Sequence, residues 1–239
     1  MEYNKSYNYN QGNATDVPSV FAKVMRNVYT WMACGLAMTA LAALIVADSP
    51  GLVYTIVTNK LLFWGLLGGE LGLVLWLSAR IAKMSFVTAG IMFALYAILN
   101  GITMSYIFMA YTMESIATTF FTTAGTFAVM SVIGYVVKKD LSGMGRFLIM
   151  LLVGLIIASV VNIFVASSGL ALILNYVGVI IFVGLTAYDT QKIKLFVQEA
   201  SYYGSEENTN KVALIGSLTL YLDFVNLFLY LLRFMGNRK

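Results

Sequence analysis

Long uncharged stretches alternate with short charged segments along most of the chain. One runs from Asn27 to Ala47, and a second, from Leu61 to Ala79, contains a single charge at Glu70. A helix needs about 20 apolar residues to cross the hydrocarbon core of a bilayer. Residues 84–137, interrupted only by Glu114, and residues 147–188 are too long for one crossing each. Each of these two stretches therefore predicts a pair of helices.

Turn residues indicate where the two long stretches divide. We place one break near Thr112–Ser115 and the other at Ser167–Gly169, because small polar residues and glycine favour turns. With a last span at 212–232, the pattern predicts seven transmembrane helices. Residues 1–26 are expected to form a disordered cytosolic tail, residues 27–235 the transmembrane domain, and residues 236–239 a basic C-terminal tail.

Composition supports this assignment and excludes several kinds of chemistry. Apolar residues make up 60% of the chain, charged residues only 11%, and the mean hydropathy is +0.82. The apolar runs are far longer than the roughly ten alternating residues of a barrel strand, so the spans are helical. There is no histidine and one cysteine, which excludes imidazole catalysis, zinc clusters and internal disulfides. We expect an all-α integral membrane protein that is not an enzyme, has no cofactor and contacts lipid rather than nucleic acid.

The distribution of lysine and arginine predicts the orientation. The N-terminal tail and the 2–3, 4–5 and 6–7 loops carry these residues, whereas the opposite loops hold only Lys60. Because basic loops stay in the cytoplasm, the N-terminus is predicted to be cytoplasmic. Seven crossings would then place the basic C-terminal tail outside. Either the last helix crosses against this rule, or it re-enters and returns.

The last span carries a polar stripe. Asp223 lies in its middle, and other polar side chains share its helix face at spacings of three or four residues: Thr219, Asn226, Tyr230 and Arg233. A charge at the bilayer centre costs about 3 kcal/mol on insertion scales, so the stripe must face protein or water. We predict a central last helix with Thr219 and Asn226 along an ion or proton pathway. A purely structural hydrogen-bond network is the alternative.

Two further carboxylates lie in or beside the spans. Asp189 is placed at the end of the sixth span, where an acid opposes the helix dipole unless it is paired. Spacing leaves two partners open, Lys192 on the same helix and Arg80 at the end of the second span. Glu70 needs a buried partner or a water-lined pocket. The glycines around it (Gly65, Gly68, Gly69 and Gly72) are spaced for close helix packing.

Five segments, in order, closely resemble the Bax inhibitor (transmembrane Bax inhibitor motif) family, most of all its bacterial YccA-like branch. They are LNGITMSYIF from Leu99, ESIAT from Glu114, KKDLSGMGRFL from Lys138, YDTQKI from Tyr188 and LYLDFVNLFLYLLR from Leu220. The resemblance covers about residues 20–235. It implies two layers of three helices around a central C-terminal helix, in the bacterial inner membrane.

The resemblance also implies a function, a pH-sensitive calcium leak. Residue by residue, Asp189 and Asp223 match the paired aspartates of the proton sensor, Arg80 the basic latch, and Glu70 an acid of the pore. Ca²⁺ is then expected to bind transiently at these three carboxylates, because hard cations prefer oxygen ligands.

Two other functions stay open. One is an interaction protein that restrains a membrane protease or acts in a cell-stress or death pathway. The other is an intramembrane aspartyl protease, in which two aspartates share a proton that activates water. Those enzymes carry Gly-x-Gly-Asp at the second aspartate, whereas this chain has Leu-Tyr-Leu-Asp ending at Asp223.

Overall fold

The computed structural model describes residues 17–203 and 206–239, and these residues are almost entirely helical. In chain order the helices are α1 (Val17–Ala47), α2 (Pro50–Thr58), α3 (Lys60–Arg80), α4 (Phe86–Met104), α5 (Ile107–Ala110), α6 (Met113–Val136), α7 (Ser142–Val165), α8 (Ser168–Tyr203) and α9 (Glu206–Met235). A single 3₁₀ turn, Ile81–Lys83, follows α3. Seven helical segments are long and apolar enough to cross a membrane, which confirms the predicted number of spans.

The ends of the helices differ from the prediction in three places. Helix α1 begins at Val17, so residues 17–26 are helical and the predicted disordered tail is wrong for them. The rest of that tail, residues 1–16, lies outside the described residues. The short helix α2 follows the predicted turn after Ala47 and has a proline in its first turn, where no backbone N–H is needed. Helix α8 continues to Tyr203, well past Asp189.

The two predicted breaks are present, and local hydrogen bonds explain them. Helix α7 ends at Val165, because the next residue, Ala166, adopts a left-handed conformation (φ 52°) that cannot continue a helix. The Asn162 side chain accepts a hydrogen bond from the Ser167 backbone N–H at 3.1 Å. At the other break, Thr112 caps α6 by accepting from the Ser115 N–H.

Helix α9 is the central helix, as the polar stripe predicted. In its hydrophobic segment 67% of the residues are buried, against 6% in α3. Helices α1, α3 and α4 pack together on one side, and α6, α7 and α8 on the other, with α9 contacting both groups. This arrangement agrees with two layers of three helices around the last one. The predicted packing role of the α3 glycines is wrong, because Gly65, Gly68, Gly69 and Gly72 all face open space.

Glycine packing occurs instead where helices of the core cross. A Cβ on Gly134 of α6 would lie 2.2 Å from the Ala187 carbonyl oxygen of α8, and one on Gly101 of α4 would lie 2.3 Å from the Thr39 carbonyl oxygen of α1. Both obstacles are backbone atoms, which cannot rotate away. Only glycine allows these two pairs of helices to approach so closely.

The end of α9 is tied to the connection between α5 and α6. The Thr112 N–H donates to the Asn237 carbonyl at 3.2 Å, and the Lys239 N–H donates to the Ala110 carbonyl at 3.1 Å. Between these bonds Tyr111 and Arg238 form an isolated antiparallel bridge. Because α9 is one continuous helix that ends here, it crosses the bundle and does not turn back. We call this the Arg238 end of the bundle and the opposite one the Asp189 end.

Gly134→Ala should destabilise the protein, because the added methyl group meets the α8 backbone. Overpacking of this kind costs about 1–3 kcal/mol, so the thermal unfolding midpoint in detergent should fall by several degrees. Gly125→Ala on the same helix is the matched control, since nothing lies within 4 Å of its Cβ position. That control should be neutral or slightly stabilising. Equal midpoints for the two variants would contradict the assigned crossing.

Candidate functional site

Two of the predicted site residues meet in the core. Asp189 of α8 is 8% exposed and Asp223 of α9 is 5% exposed. The two carboxyl groups interact directly between α8 and α9, and in so buried a site they cannot both ionise cheaply. One oxygen of the Asp223 carboxyl, Oδ2, is buried and has no hydrogen-bond partner among the described residues. The structure therefore places Asp189 beside Asp223, and their role as a proton sensor, which the resemblance implies, stays a prediction.

The helices that hold the pair are fixed by close packing. Helix α8 packs on α9 along most of its length and also contacts α6 and α7. Gly134 brings α6 against the backbone of Ala187, two residues before Asp189. Tyr188, the residue before Asp189, places its ring in the space beside Gly145 of α7. Backbone and ring contacts on both sides leave the Asp189 carboxyl little freedom to move away from Asp223.

The position of Asp189 within its helix differs from the expectation. The residue lies inside α8, which continues to Tyr203, so the argument from the helix dipole does not apply. The cationic side chain that acts on Asp189 through space is Lys192, three residues later. Its ammonium group lies 5.9 Å from the centre of the Tyr188 ring and 5.7 Å from that of Phe196.

Arg80 does not meet Asp189 in this structure. Its side chain is exposed, and its helix α3 packs mainly on α4. The residue after it, Ile81, is buried in the same apolar cluster as Ile193, one turn after Asp189. Arg80 and Asp189 therefore lie at the same end of the bundle without forming an ion pair.

Gln191 is a site residue that sequence reasoning missed. Its side-chain oxygen accepts from the Leu141 N–H at 2.8 Å, and its side-chain nitrogen donates to the carbonyls of Val137 (3.2 Å) and Lys139 (3.0 Å). One buried amide thus holds the α6–α7 connection against α8, two residues from Asp189. In the sequence, the one feature that could have identified Gln191 as a site residue is its place within the YDTQKI segment.

Glu70 lies at a separate site. Its carboxylate accepts from the Asn100 side-chain amide and from the Thr103 hydroxyl at 2.7 Å, both on α4. These residues line a cavity of about 790 Å³ that extends to Arg233 near the Arg238 end. Glu70 was predicted to need a buried partner or a pocket. In the structure it has hydrogen-bond partners on α4 and also lines a cavity. Asn100 and Thr103 lie three residues apart on an otherwise apolar helix. This pair of polar residues could have identified the partners of Glu70 from the sequence.

A chain of polar side chains continues from Glu70 into the core. Asn100 contacts the Tyr96 hydroxyl, and the Tyr96 ring packs edge-on against Tyr221 of α9 at 6.0 Å between centroids. The Tyr221 hydroxyl is 2.7 Å from the Thr39 hydroxyl of α1, which also donates to the Ala97 carbonyl. Tyr221 and Asp223 are two residues apart, so they point to opposite sides of α9.

Two other residues of the stripe are bonded within their own helix. Thr219 donates to the Ile215 carbonyl at 3.1 Å, and Asn226 donates to the Leu222 carbonyl at 2.8 Å. Their half-buried side chains form no network with Asp223. Within residues 17–203 and 206–239, no three acidic, cysteine or histidine side chains come together. Glu70, Asp189 and Asp223 therefore do not form one Ca²⁺ site in this structure.

Comparison with known proteins agrees with the resemblance in the motifs. Residues 21–239 match the model of the family described as "Inhibitor of apoptosis-promoting Bax1". The chain is 47% identical over 215 residues to "Inner membrane protein YbhL" of Escherichia coli K12, covering 90% of this chain and 92% of that protein. It is 39% identical over 241 residues to "Uncharacterized protein RP147" of Rickettsia prowazekii, covering 100% and 99%. The chain therefore belongs to the Bax inhibitor family of membrane proteins.

Proposed function

We propose that the protein is a pH-sensitive cation leak of the bacterial inner membrane, with Asp189 and Asp223 as its proton sensor. The observation that carries this proposal is the buried pair of carboxyl groups between α8 and α9. An intramembrane carboxylate is costly, and such residues usually mark ion or proton routes. The YbhL relative, named as an inner membrane protein, supports the location.

The pair senses protons because two carboxylates in a site of low dielectric cannot both ionise cheaply. With one shared proton the two helices attract each other, and with none the charges repel. A conformation that changes the pKa of such a group by one unit is favoured or disfavoured by about 1.4 kcal/mol. This is enough to shift a two-state equilibrium about tenfold. No histidine is needed for a response near neutral pH.

Glu70 provides the oxygen ligands for the cation at the other end of the route. Its carboxylate lines a cavity that extends to Arg233 near the Arg238 end, and hard cations such as Ca²⁺ prefer carboxylate and amide oxygens. Ca²⁺ is the cargo in this proposal, not a resident cofactor. Thr219 and Asn226 lie on the α9 face between the two ends and complete the proposed route.

Asp189→Asn and Asp223→Asn should each flatten the pH dependence of cation flux, because a single carboxyl group has no acidic partner to couple to. Purified variants in dye-loaded liposomes report Ca²⁺ entry at a series of pH values. Asp140→Asn is the control. Asp140 is exposed, and hydrogen bonds from Ser142 lower the pKa of its carboxyl group, so it should not respond near neutral pH. An unchanged pH profile in both core variants would exclude the pair as the sensor.

Arg80 is proposed to latch Asp189 in a second conformation, in which the end of α3 moves toward α8. The 3₁₀ turn that follows Arg80 contacts α9, the helix that carries Asp223, and this contact supports such an approach. The competing partner, Lys192, is exposed and lies on the same helix as Asp189. A pair of that kind contributes only a few tenths of a kcal/mol.

Arg80→Ala should raise Ca²⁺ flux at every pH, because removing one partner of a semi-buried pair costs about 3 kcal/mol or more. Lys192→Ala should leave the flux unchanged, and Arg80→Lys should restore closure only in part, since lysine lacks the planar fork of arginine. The same liposome assay measures all three variants. Opening by Lys192→Ala without opening by Arg80→Ala would identify Lys192 as the partner.

A second candidate is an interaction protein that modulates a membrane protease or a cell-stress pathway. The family description, which names an effect on another protein, favours this function. Flux through liposomes that contain only the purified protein distinguishes the two. A leak conducts without a partner, whereas an interaction protein does not.

A further inference from the structure

The Arg238 end of the bundle contains a groove that extends from the cavity beside Glu70 to Arg238. Two cavities of about 790 and 310 Å³ adjoin there. They share Tyr106, Ala110, Leu229 and Arg233 in their linings. We call the combined space the α9-end groove. Its volume is at the upper end of the range for small-molecule sites in proteins, about 300–1,000 Å³.

The larger part of the groove is apolar and faces the surrounding bilayer. Its walls include Val53, Tyr54 and Val57 of α2 and Phe63 and Leu67 of α3. Tyr54 is 67% exposed and Val57 is 52% exposed. In a membrane protein, exposed apolar side chains of this kind contact acyl chains. Tyr54, Trp64 and Tyr106 are exposed aromatic residues at this end, as is typical of the level of the lipid headgroups.

The smaller part of the groove is basic. Arg233 lies over the Tyr230 ring, with its guanidinium carbon 5.5 Å from the ring centroid. The backbone on either side of Arg238 is fixed by two hydrogen bonds. The Asn237 carbonyl accepts from the Thr112 N–H, and the Lys239 N–H donates to the Ala110 carbonyl. The Arg233 guanidinium is therefore positioned over the Tyr230 ring, and the Arg238 backbone is fixed beside the same cavity.

No acidic partner accompanies these two arginines in the groove. Among the described residues, the one carboxylate that lines it is Glu70, which is bonded to Asn100 and Thr103. An arginine fork prefers a planar or tetrahedral oxyanion that accepts two parallel hydrogen bonds. The groove thus combines a site for an oxyanion with an adjoining apolar surface open to lipid.

We propose that the α9-end groove binds an anionic phospholipid. The phosphate lies between Arg233 and Arg238, and one acyl chain follows the apolar walls formed by α2 and α3. A soluble phosphate would use only the basic part and would leave the apolar part without a ligand. This binding does not depend on whether the protein conducts ions.

The test compares lipids that differ only in headgroup. Native mass spectrometry of the purified protein, titrated with dioleoyl phosphatidylglycerol or dioleoyl phosphatidylcholine, measures how many molecules bind and how tightly. The preference for the anionic lipid should fall about tenfold or more in Arg233→Gln/Arg238→Gln, the effect of losing one charge-assisted hydrogen bond. If the double variant does not fold, each single variant is used in its place.

Two control variants make the result specific. Lys138→Gln/Arg146→Gln removes the same charge from exposed residues at the Asp189 end and should keep the preference. Val57→Trp fills the apolar part and should weaken the binding of both lipids while leaving the headgroup preference in place. The proposal is overturned if both double variants lose the preference equally, if the wild-type protein binds the two lipids alike, or if millimolar inorganic phosphate displaces the bound lipid.

Discussion

The Asp223 carboxyl group lies on the most buried helix. Because a buried carboxyl group requires a polar partner, much of the packing around Asp223 serves to supply one. A bilayer provides no water to a buried polar group, so any partner must come from the protein. Helix α8 supplies that partner in Asp189, and α8 reaches its position because Gly134 lets α6 approach its backbone. Gln191 then holds the α6–α7 connection to the same stretch of α8. The contacts that organise the Asp189 end therefore converge on one pair of acids.

The sequence was most informative about where each helix enters and leaves the membrane, because the cost of burying a charge depends on depth in the bilayer. Charges and turn residues located all seven spans, and the stripe through Asp223 identified α9 as the central helix, because a charged face must avoid lipid. It was least informative about the rotation of each helix. The glycines near Glu70 had the spacing of a packing motif but face open space, whereas Gly134 makes a close contact without such a motif. Helix rotation depends on contacts between distant segments, which a local pattern does not contain.

Glu70 and the aspartate pair are acids in different surroundings, which suits them to different roles. Glu70 accepts hydrogen bonds from two donors and lines a large cavity, which suits it to the cation-binding role proposed above. The pair is enclosed, and one oxygen of Asp223 has no partner among the described residues, so its state depends on a proton. Between the two sites lies the hydroxyl contact of Thr39 and Tyr221, which joins α1 to α9.

Helix α9 links the aspartate pair, the contact with α1 and the groove at the Arg238 end, because it carries one residue of each. Asp223 faces α8, Tyr221 faces the junction with α1, and Arg233 lines the groove at the far end. A helix transmits displacement along its axis with little compression, since close-packed interiors yield little. Repulsion between two ionised aspartates would push α9 away from α8 and toward α1, against the Thr39 hydroxyl. The backbone bonds of Asn237 and Lys239 to the α5–α6 connection hold the other end in place. In the proposed mechanism, rotation of α9 about that anchored end would displace Tyr221 and break its contact with the Thr39 hydroxyl.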